Sequence, residues 1–196
     1  MKTIKPVVVD FRFYALFAVL MLVLFPLHES AHYLSYRAIG VHLHMTLNTA
    51  SPTNQRLRRP FPEFAGPLLN LALGIFAALM LRFSGRAHFF WSATALAASL
   101  MRLVIYLLIL VVAVKTGSGL SMGNDEPIAA HMWGLPSLTF VCLLSVPFLW
   151  IVWVAVDTWA GSRLSKIMNL FGLALVTFGI GTLIGNVVDP WLLPKR

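Results

Sequence analysis

The chain has little cysteine and little charge, and both deficits limit what it can be. Cys142 is the single cysteine among 196 residues, which excludes an intramolecular disulfide and a cysteine-based zinc cage. Charged residues make up 11% of the sequence, less than half of the fraction, about a quarter, that is usual in soluble domains. The sequence is apolar instead: 59% of its residues are hydrophobic and its mean hydropathy is +0.82. It therefore predicts an integral membrane protein.

Several apolar stretches are long enough to cross a bilayer, which takes about 18 residues or more. The predicted spans cover about residues 11–36, 62–81, 89–114, 137–156 and 167–187. After the first span, apolar and polar residues alternate from Val41 to Leu47, which is typical of a short strand. We therefore expect an all-α polytopic membrane protein with about five transmembrane helices and a short membrane-associated β segment after the first. A single domain over residues 1–196 is expected.

The net charge of +8 comes from Lys and Arg side chains that gather near the predicted span ends. Such residues meet anionic lipid headgroups, so the lipid bilayer is the expected partner of these charges. No basic face or nucleic-acid recognition motif accompanies them, and we expect no nucleic-acid partner. A short chain of this kind favours a prokaryotic cytoplasmic membrane.

The first predicted span contains the pentad His28-Glu29-Ser30-Ala31-His32. Residues four apart lie on the same face of a helix, so both imidazoles can bind one metal ion. Glu29 projects beside them and can accept a proton from a metal-bound water. Ionisable groups inside hydrocarbon are costly, which favours a functional role for this pentad.

A catalytic zinc usually has three protein ligands and one open position, so a third ligand must come from elsewhere in the chain. The candidates away from the outer ends of the spans are Glu63, Asp125 and Glu126. A helix could begin near Asp125 and point a carboxylate into the bundle, or Asp125 could simply cap a surface helix. Arg102, within the third span, could pair with Glu63 or Asp125 or extend its charged end toward one membrane surface; we expect an internal partner.

A second group of residues stands at the start of the second predicted span, in Phe64-Ala65-Gly66-Pro67-Leu68-Leu69-Asn70. The small residues permit close approach between helices. Asn70 is a lone amide in an apolar helix and needs a partner. Its side chain could donate to a carbonyl oxygen that becomes negative during attack, or it could be an interhelical polar clamp.

These motifs resemble the site-2 protease family of intramembrane zinc metalloproteases. The resemblance rests on the pentad at the end of one span, on Ala65-Gly66-Pro67 with Asn70 at the start of the next, and on the strand-like segment between them. It covers roughly residues 20–136. It implies that His28 and His32 bind Zn²⁺, that Glu29 is the general base and that Asn70 binds the substrate carbonyl.

The third zinc ligand departs from the family pattern. Family members take it from an Asp within an Asn-x-x-Pro-x-x-x-Leu-Asp-Gly sequence in a later span, whereas this chain has Asn124-Asp125-Glu126-Pro127. Asp125 is the ligand that we expect, with Glu126 as the competitor. The protease core would then cover about residues 11–136, and the spans over about 137–187 would be accessory.

The function that the resemblance implies is hydrolysis of peptide bonds in membrane-embedded substrates by a zinc-activated water. An unwound substrate could pair with the strand near His42, so proline at Leu43 or Met45 should weaken cleavage. One alternative is a zinc-binding, proteolytically inactive membrane protein that acts as a binding or chaperone module. A metal transporter that uses the pentad as its path is the other.

Overall fold

The computed structural model describes residues 6–84, 87–116 and 124–192, and most of these are helical. The predicted loop after the third span falls partly on residues 117–123, which lie outside the described residues. The long helices are α1 (Phe11–Ala38), α2 (Pro60–Phe83), α3 (His88–Thr116), α5 (Ser137–Asp157) and α6 (Arg163–Leu183), and the short α4 covers Asp125–Met132. After α6 the chain continues through a π-helical segment, Ile184–Val188, into α7, Asp189–Leu192.

Five of these helices are long and apolar enough to cross a membrane, namely α1, α2, α3, α5 and α6 with its extension to Trp191. The predicted all-α polytopic fold is thus confirmed. Local chemistry sets where the first two begin. The Asp10 side chain accepts a hydrogen bond from the Phe13 N–H, 3.1 Å away, and so caps α1. Pro60 is the first residue of α2. Proline lacks a backbone N–H, but an N–H at this position would have no partner within the helix.

The expected β segment is the first strand of an antiparallel hairpin. Strand β1 (Leu43–Met45) pairs with β2 (Ala50–Pro52), and Met45 lies opposite Ala50. The alternation predicted β1 correctly, although the strand is shorter than the seven-residue pattern. Strand β2 was not predicted, because it lies in a stretch rich in Ser, Thr, Asn and Pro that resembles a polar loop.

Helix α3 is the central element of the bundle and contacts α1, α2, α5 and α6. Its segment from Ala95 to Arg102 is buried at every position, which is the pattern of a helix surrounded by others. Three of these eight positions are alanine, and these small side chains let the neighbouring helices approach closely. This packing brings Arg102 into the middle of the protein, beside α1 and α4.

The end of the last span holds the tip of the hairpin in place. The Asp189 carboxylate accepts hydrogen bonds from Thr46 Oγ1 at 2.7 Å and from the Leu47 N–H at 2.9 Å. Helix α1 contacts both strands of the hairpin. The hairpin is therefore held between the first and last membrane helices, on the side where α1 ends.

Candidate metal centre

The two histidines of the pentad are buried on α1 with their Nε2 atoms 3.2 Å apart. His32 Nδ1 donates a hydrogen bond to the Pro62 carbonyl at 2.7 Å. Such a bond fixes the ring orientation and leaves Nε2 as the nitrogen with a free lone pair. Counting back from Ala38 at 1.5 Å per residue, the pair lies about 9 to 15 Å inside the end of α1.

Asp125, the first residue of α4, completes a triangle with these nitrogens. Its Oδ2 lies 3.2 Å from His28 Nε2 and 3.3 Å from His32 Nε2. Tetrahedral zinc with ligand bonds of about 2.0 to 2.1 Å requires ligand atoms about 3.3 to 3.4 Å apart. The three atoms therefore have the separation that one face of a zinc tetrahedron needs, and they can hold a metal ion.

The other two acidic candidates are bound elsewhere. Glu63 accepts a hydrogen bond from the Tyr36 hydroxyl at 2.5 Å. Glu126 forms a buried ion pair with Arg102, whose Nε lies 2.8 Å from Oε1 and whose Nη2 donates to Oε2. Within the described ranges, Asp125 is the acidic residue whose oxygen lies among the imidazole nitrogens.

The environment of Asp125 favours its ionised form. Burial by itself would raise the pKa of this carboxyl, but its contacts with the imidazoles of His28 and His32 hold it well below its usual range. The positive charge of Arg102, whose Nη2 is 3.6 Å from Oδ2, acts in the same direction. An ionised carboxylate is the state that a divalent cation binds.

Gly66 on α2 provides the space that the imidazoles occupy. A Cβ placed on this residue would lie 2.5 Å from His28 Cε1 and Nε2 and closer still to His32 Nε2. A Cβ atom does not approach non-bonded atoms this closely, so any larger residue would push the rings away. The small residue in Ala65-Gly66-Pro67 thus allows α2 to pass directly against the metal-binding atoms.

Glu29 lines a polar cavity of about 290 Å³ together with His28 and Asp125. The backbone N–H of Ala50 in β2 faces its carboxylate and interacts with it electrostatically. This contact ties the hairpin to the pentad. It places the proposed general base where a water or a peptide in the cavity can reach it.

Asn70 occupies a different environment from the one that its predicted role requires. It is fully buried, its Nδ2 donates to Met101 Sδ at 3.2 Å, and its Oδ1 has no partner in the described part of the chain. It is not among the residues that line the cavity. Its binding of a substrate carbonyl stays a prediction.

Arg102 has the internal partner that its position in a span predicts, but the main partner is Glu126. Glu63 does not contact it, and Asp125 is a secondary partner. The Tyr106 hydroxyl donates to Glu126 Oε1 at 2.7 Å and completes this group. Tyr106 lies one helical turn after Arg102, so the i, i+4 spacing is the signal that could have identified it. His42, His44 and His131 are exposed and lie outside the group formed by His28, His32 and Asp125.

Comparisons with protein-family models, with curated proteins and with solved structures find no match to this chain. The likeness to site-2 proteases therefore rests on the motifs themselves.

Replacing Gly66 with alanine tests whether the space beside the imidazoles is needed for metal binding. Alanine favours a helix by about 1 kcal/mol over glycine, so the helix should form while the rings are displaced. We expect zinc affinity, measured by competition with a chromogenic chelator, to fall by about 10- to 100-fold. Gly179→Ala is the matched control, because a Cβ there meets nothing within 4 Å. Equal zinc affinity in the two variants would contradict the site.

Proposed function

We propose that this protein is an intramembrane zinc metalloprotease of the site-2 protease type. The observation that carries the proposal is the triangle of His28 Nε2, His32 Nε2 and Asp125 Oδ2 with Glu29 beside it in the same cavity. Two imidazoles and one carboxylate are the ligand set of many zinc peptidases, which keep one position open.

When bound, zinc lowers the pKa of a coordinated water toward neutrality and polarises a carbonyl group. The side chains of the protein transfer the proton, orient the ligands and supply negative charge. Glu29 accepts the proton of the attacking water and later returns it to the leaving amine. His32 is held in its binding orientation by Pro62, and the ionised Asp125 supplies negative charge to the cation.

A second cavity supports a substrate that comes from the membrane. It measures about 380 Å³ and lies between α1, α3 and α6, with apolar side chains such as Val104, Leu108 and Phe178 in its wall. Four residues line both cavities, namely Phe25, Asn48, Met101 and Ile105. An apolar peptide segment could therefore pass from the side of the bundle to the metal centre.

Strand β2 is the part of the hairpin that we propose to bind an unwound peptide. In the hairpin ladder, the Thr46 N–H donates a hydrogen bond to the Thr49 carbonyl, and the Thr53 N–H donates one to the His42 carbonyl. The N–H groups of Ala50 and Met45, which lie opposite each other, therefore point away from the hairpin ladder.

The outer edge of β2 faces Glu29, and residues 48–51 line the cavity, whereas β1 does not. We therefore propose that an unwound peptide pairs with the edge of β2 at Ala50. The sequence alone predicts pairing with β1 at Leu43 and Met45.

Glu29→Gln separates proteolysis from metal binding. The amide cannot accept a proton, so cleavage of a transmembrane peptide in proteoliposomes should fall by about 10²- to 10⁴-fold. Zinc content, measured by mass spectrometry, should be unchanged because Glu29 is not a ligand. Asp157→Asn makes the same chemical change at an exposed site on the opposite membrane surface and serves as control.

Two results would favour the alternative functions over proteolysis. Wild-type protein that holds one zinc ion but cleaves nothing, with no cellular phenotype in the Glu29 variant, would favour the binding or chaperone module. Divalent-ion flux through reconstituted vesicles that depends on His28 and His32 would favour the transporter.

Ala50→Pro tests the role of β2. Proline removes the outward N–H of Ala50, the group to which an edge-pairing peptide would bond, without removing a ladder hydrogen bond. A lost neutral hydrogen bond corresponds to about 0.5 to 1.5 kcal/mol, so cleavage should fall by up to about tenfold at unchanged zinc content. Met45→Pro is the matched control on the outer edge of β1 and should cleave at nearly the wild-type rate. If Met45→Pro instead slows cleavage more than Ala50→Pro does, the peptide pairs with β1.

A further inference from the structure

Arg102 lies against the metal centre and lines the same cavity as Glu29. It is 2% exposed. Its Nη1 is 3.3 Å from His28 Nε2, and its Nη2 is 3.6 Å from Asp125 Oδ2. A guanidinium is permanently charged, so the cavity contains a fixed positive charge at its metal-binding end.

The guanidinium is held rigidly from one side. Its Nε and Nη2 donate to the two oxygens of Glu126, and its Cζ lies 5.8 Å from the centre of the Tyr106 ring. The Tyr106 hydroxyl also donates to Glu126. These contacts fix two of the three nitrogens and leave Nη1 facing the His28 imidazole. No carboxylate contacts Nη1 among the described residues.

From this geometry we infer that Arg102 is a catalytic residue that stabilises the negative charge on the scissile carbonyl oxygen. The inference rests on the proposed function. When the water oxygen bonds to the carbonyl carbon, the C=O electron pair moves onto the carbonyl oxygen and the water proton passes to Glu29. Nη1 donates to that oxygen. When the C–N bond breaks, the carbonyl re-forms and Glu29 returns its proton to the amine.

Arg102 fits this role better than Asn70 does. Asn70 does not line the cavity, and its Nδ2 donates to Met101. Arg102 lines the cavity, is charged and is already oriented. Charge-assisted hydrogen bonds are roughly twice as strong as neutral ones, and a preoriented donor requires no reorganisation during the reaction.

The test compares an anionic transition-state mimic with a neutral substrate on the zinc-loaded, full-length protein in detergent. A peptidic phosphinate carries a negative tetrahedral oxygen, whereas the peptide substrate is uncharged at the scissile bond. The main variant is the double substitution Arg102→Gln with Glu126→Gln, because it removes both members of the ion pair and leaves no buried charge unpaired. Tyr106→Phe is the control that loosens Glu126 while keeping the guanidinium.

In the double variant we expect phosphinate affinity and kcat to fall together by roughly 10²-fold, the effect of removing one oxyanion donor. KM and zinc content should stay near wild-type values, and Tyr106→Phe should change phosphinate affinity far less. Unchanged phosphinate affinity overturns the inference. Loss of zinc from the double variant also overturns it, because Arg102 would then act by positioning Asp125.

Arg102→Lys answers the same question if the double variant does not fold. It keeps the buried charge but not the planar fork of donors. Weaker phosphinate binding at unchanged zinc content supports the inference, and equal binding overturns it. Wild-type protein that neither binds the phosphinate nor cleaves a peptide would instead contradict the proposed function itself. Wild-type protein that does both, with a double variant that binds equally well, contradicts the role of Arg102 alone.

Discussion

Ionisable side chains inside an apolar helical bundle need partners, and this requirement organises the centre of the protein. The bundle buries a histidine pair on α1, three glutamates and Arg102. A charge in such a place is costly unless it is paired and hydrogen-bonded. Glu63 and Glu126 each accept a hydrogen bond, from the Tyr36 hydroxyl and the Arg102 guanidinium, and the Ala50 N–H faces Glu29. The histidines and Asp125 contact one another, with Arg102 beside them, and a divalent cation would stabilise this arrangement.

The secondary structure around this group explains how a membrane bundle can present a polar cavity. Helix α4 is too short to cross a bilayer, and it brings the Asp125 carboxylate to the two imidazoles of α1. The hairpin supplies backbone N–H groups to the same cavity. Within a bilayer, irregular backbone is tolerated only where protein or water surrounds it. Asp189 and α1 enclose the hairpin in this way.

How much of this could be predicted from the sequence depends on whether an interaction is local. The five spans and the facing imidazoles follow from hydrophobic length and from the i, i+4 relation within one helix. The choice of third ligand does not. Asp125 and Glu126 are adjacent residues of α4, about 100° apart around its axis, so the rotation of that helix decides which one faces the imidazoles. The partner of Arg102 depends on the same rotation.

Strand β2 and the environment of Asn70 show the same limit. The sequence around β2 has little strand propensity, and its pairing is supported by contacts with Glu29 and with Asp189 through the hairpin. These residues are distant from it in the chain. The resemblance to site-2 proteases predicts a substrate-binding role for Asn70, yet its hydrogen bond to Met101 depends on how α2 packs against α3. Tertiary packing, rather than local pattern, determines both.

The coordination sphere of bound zinc is the most direct test of the central claim, and X-ray absorption at the zinc K-edge measures it. The account predicts one zinc ion per chain with two imidazoles and an oxygen ligand at about 2.0 to 2.1 Å. The spectrum should be unchanged when the exposed His42 and His44 are both replaced with alanine. A spectrum that loses its imidazole signal in that double variant, or a wild-type protein that binds no stoichiometric zinc, would contradict the metal centre.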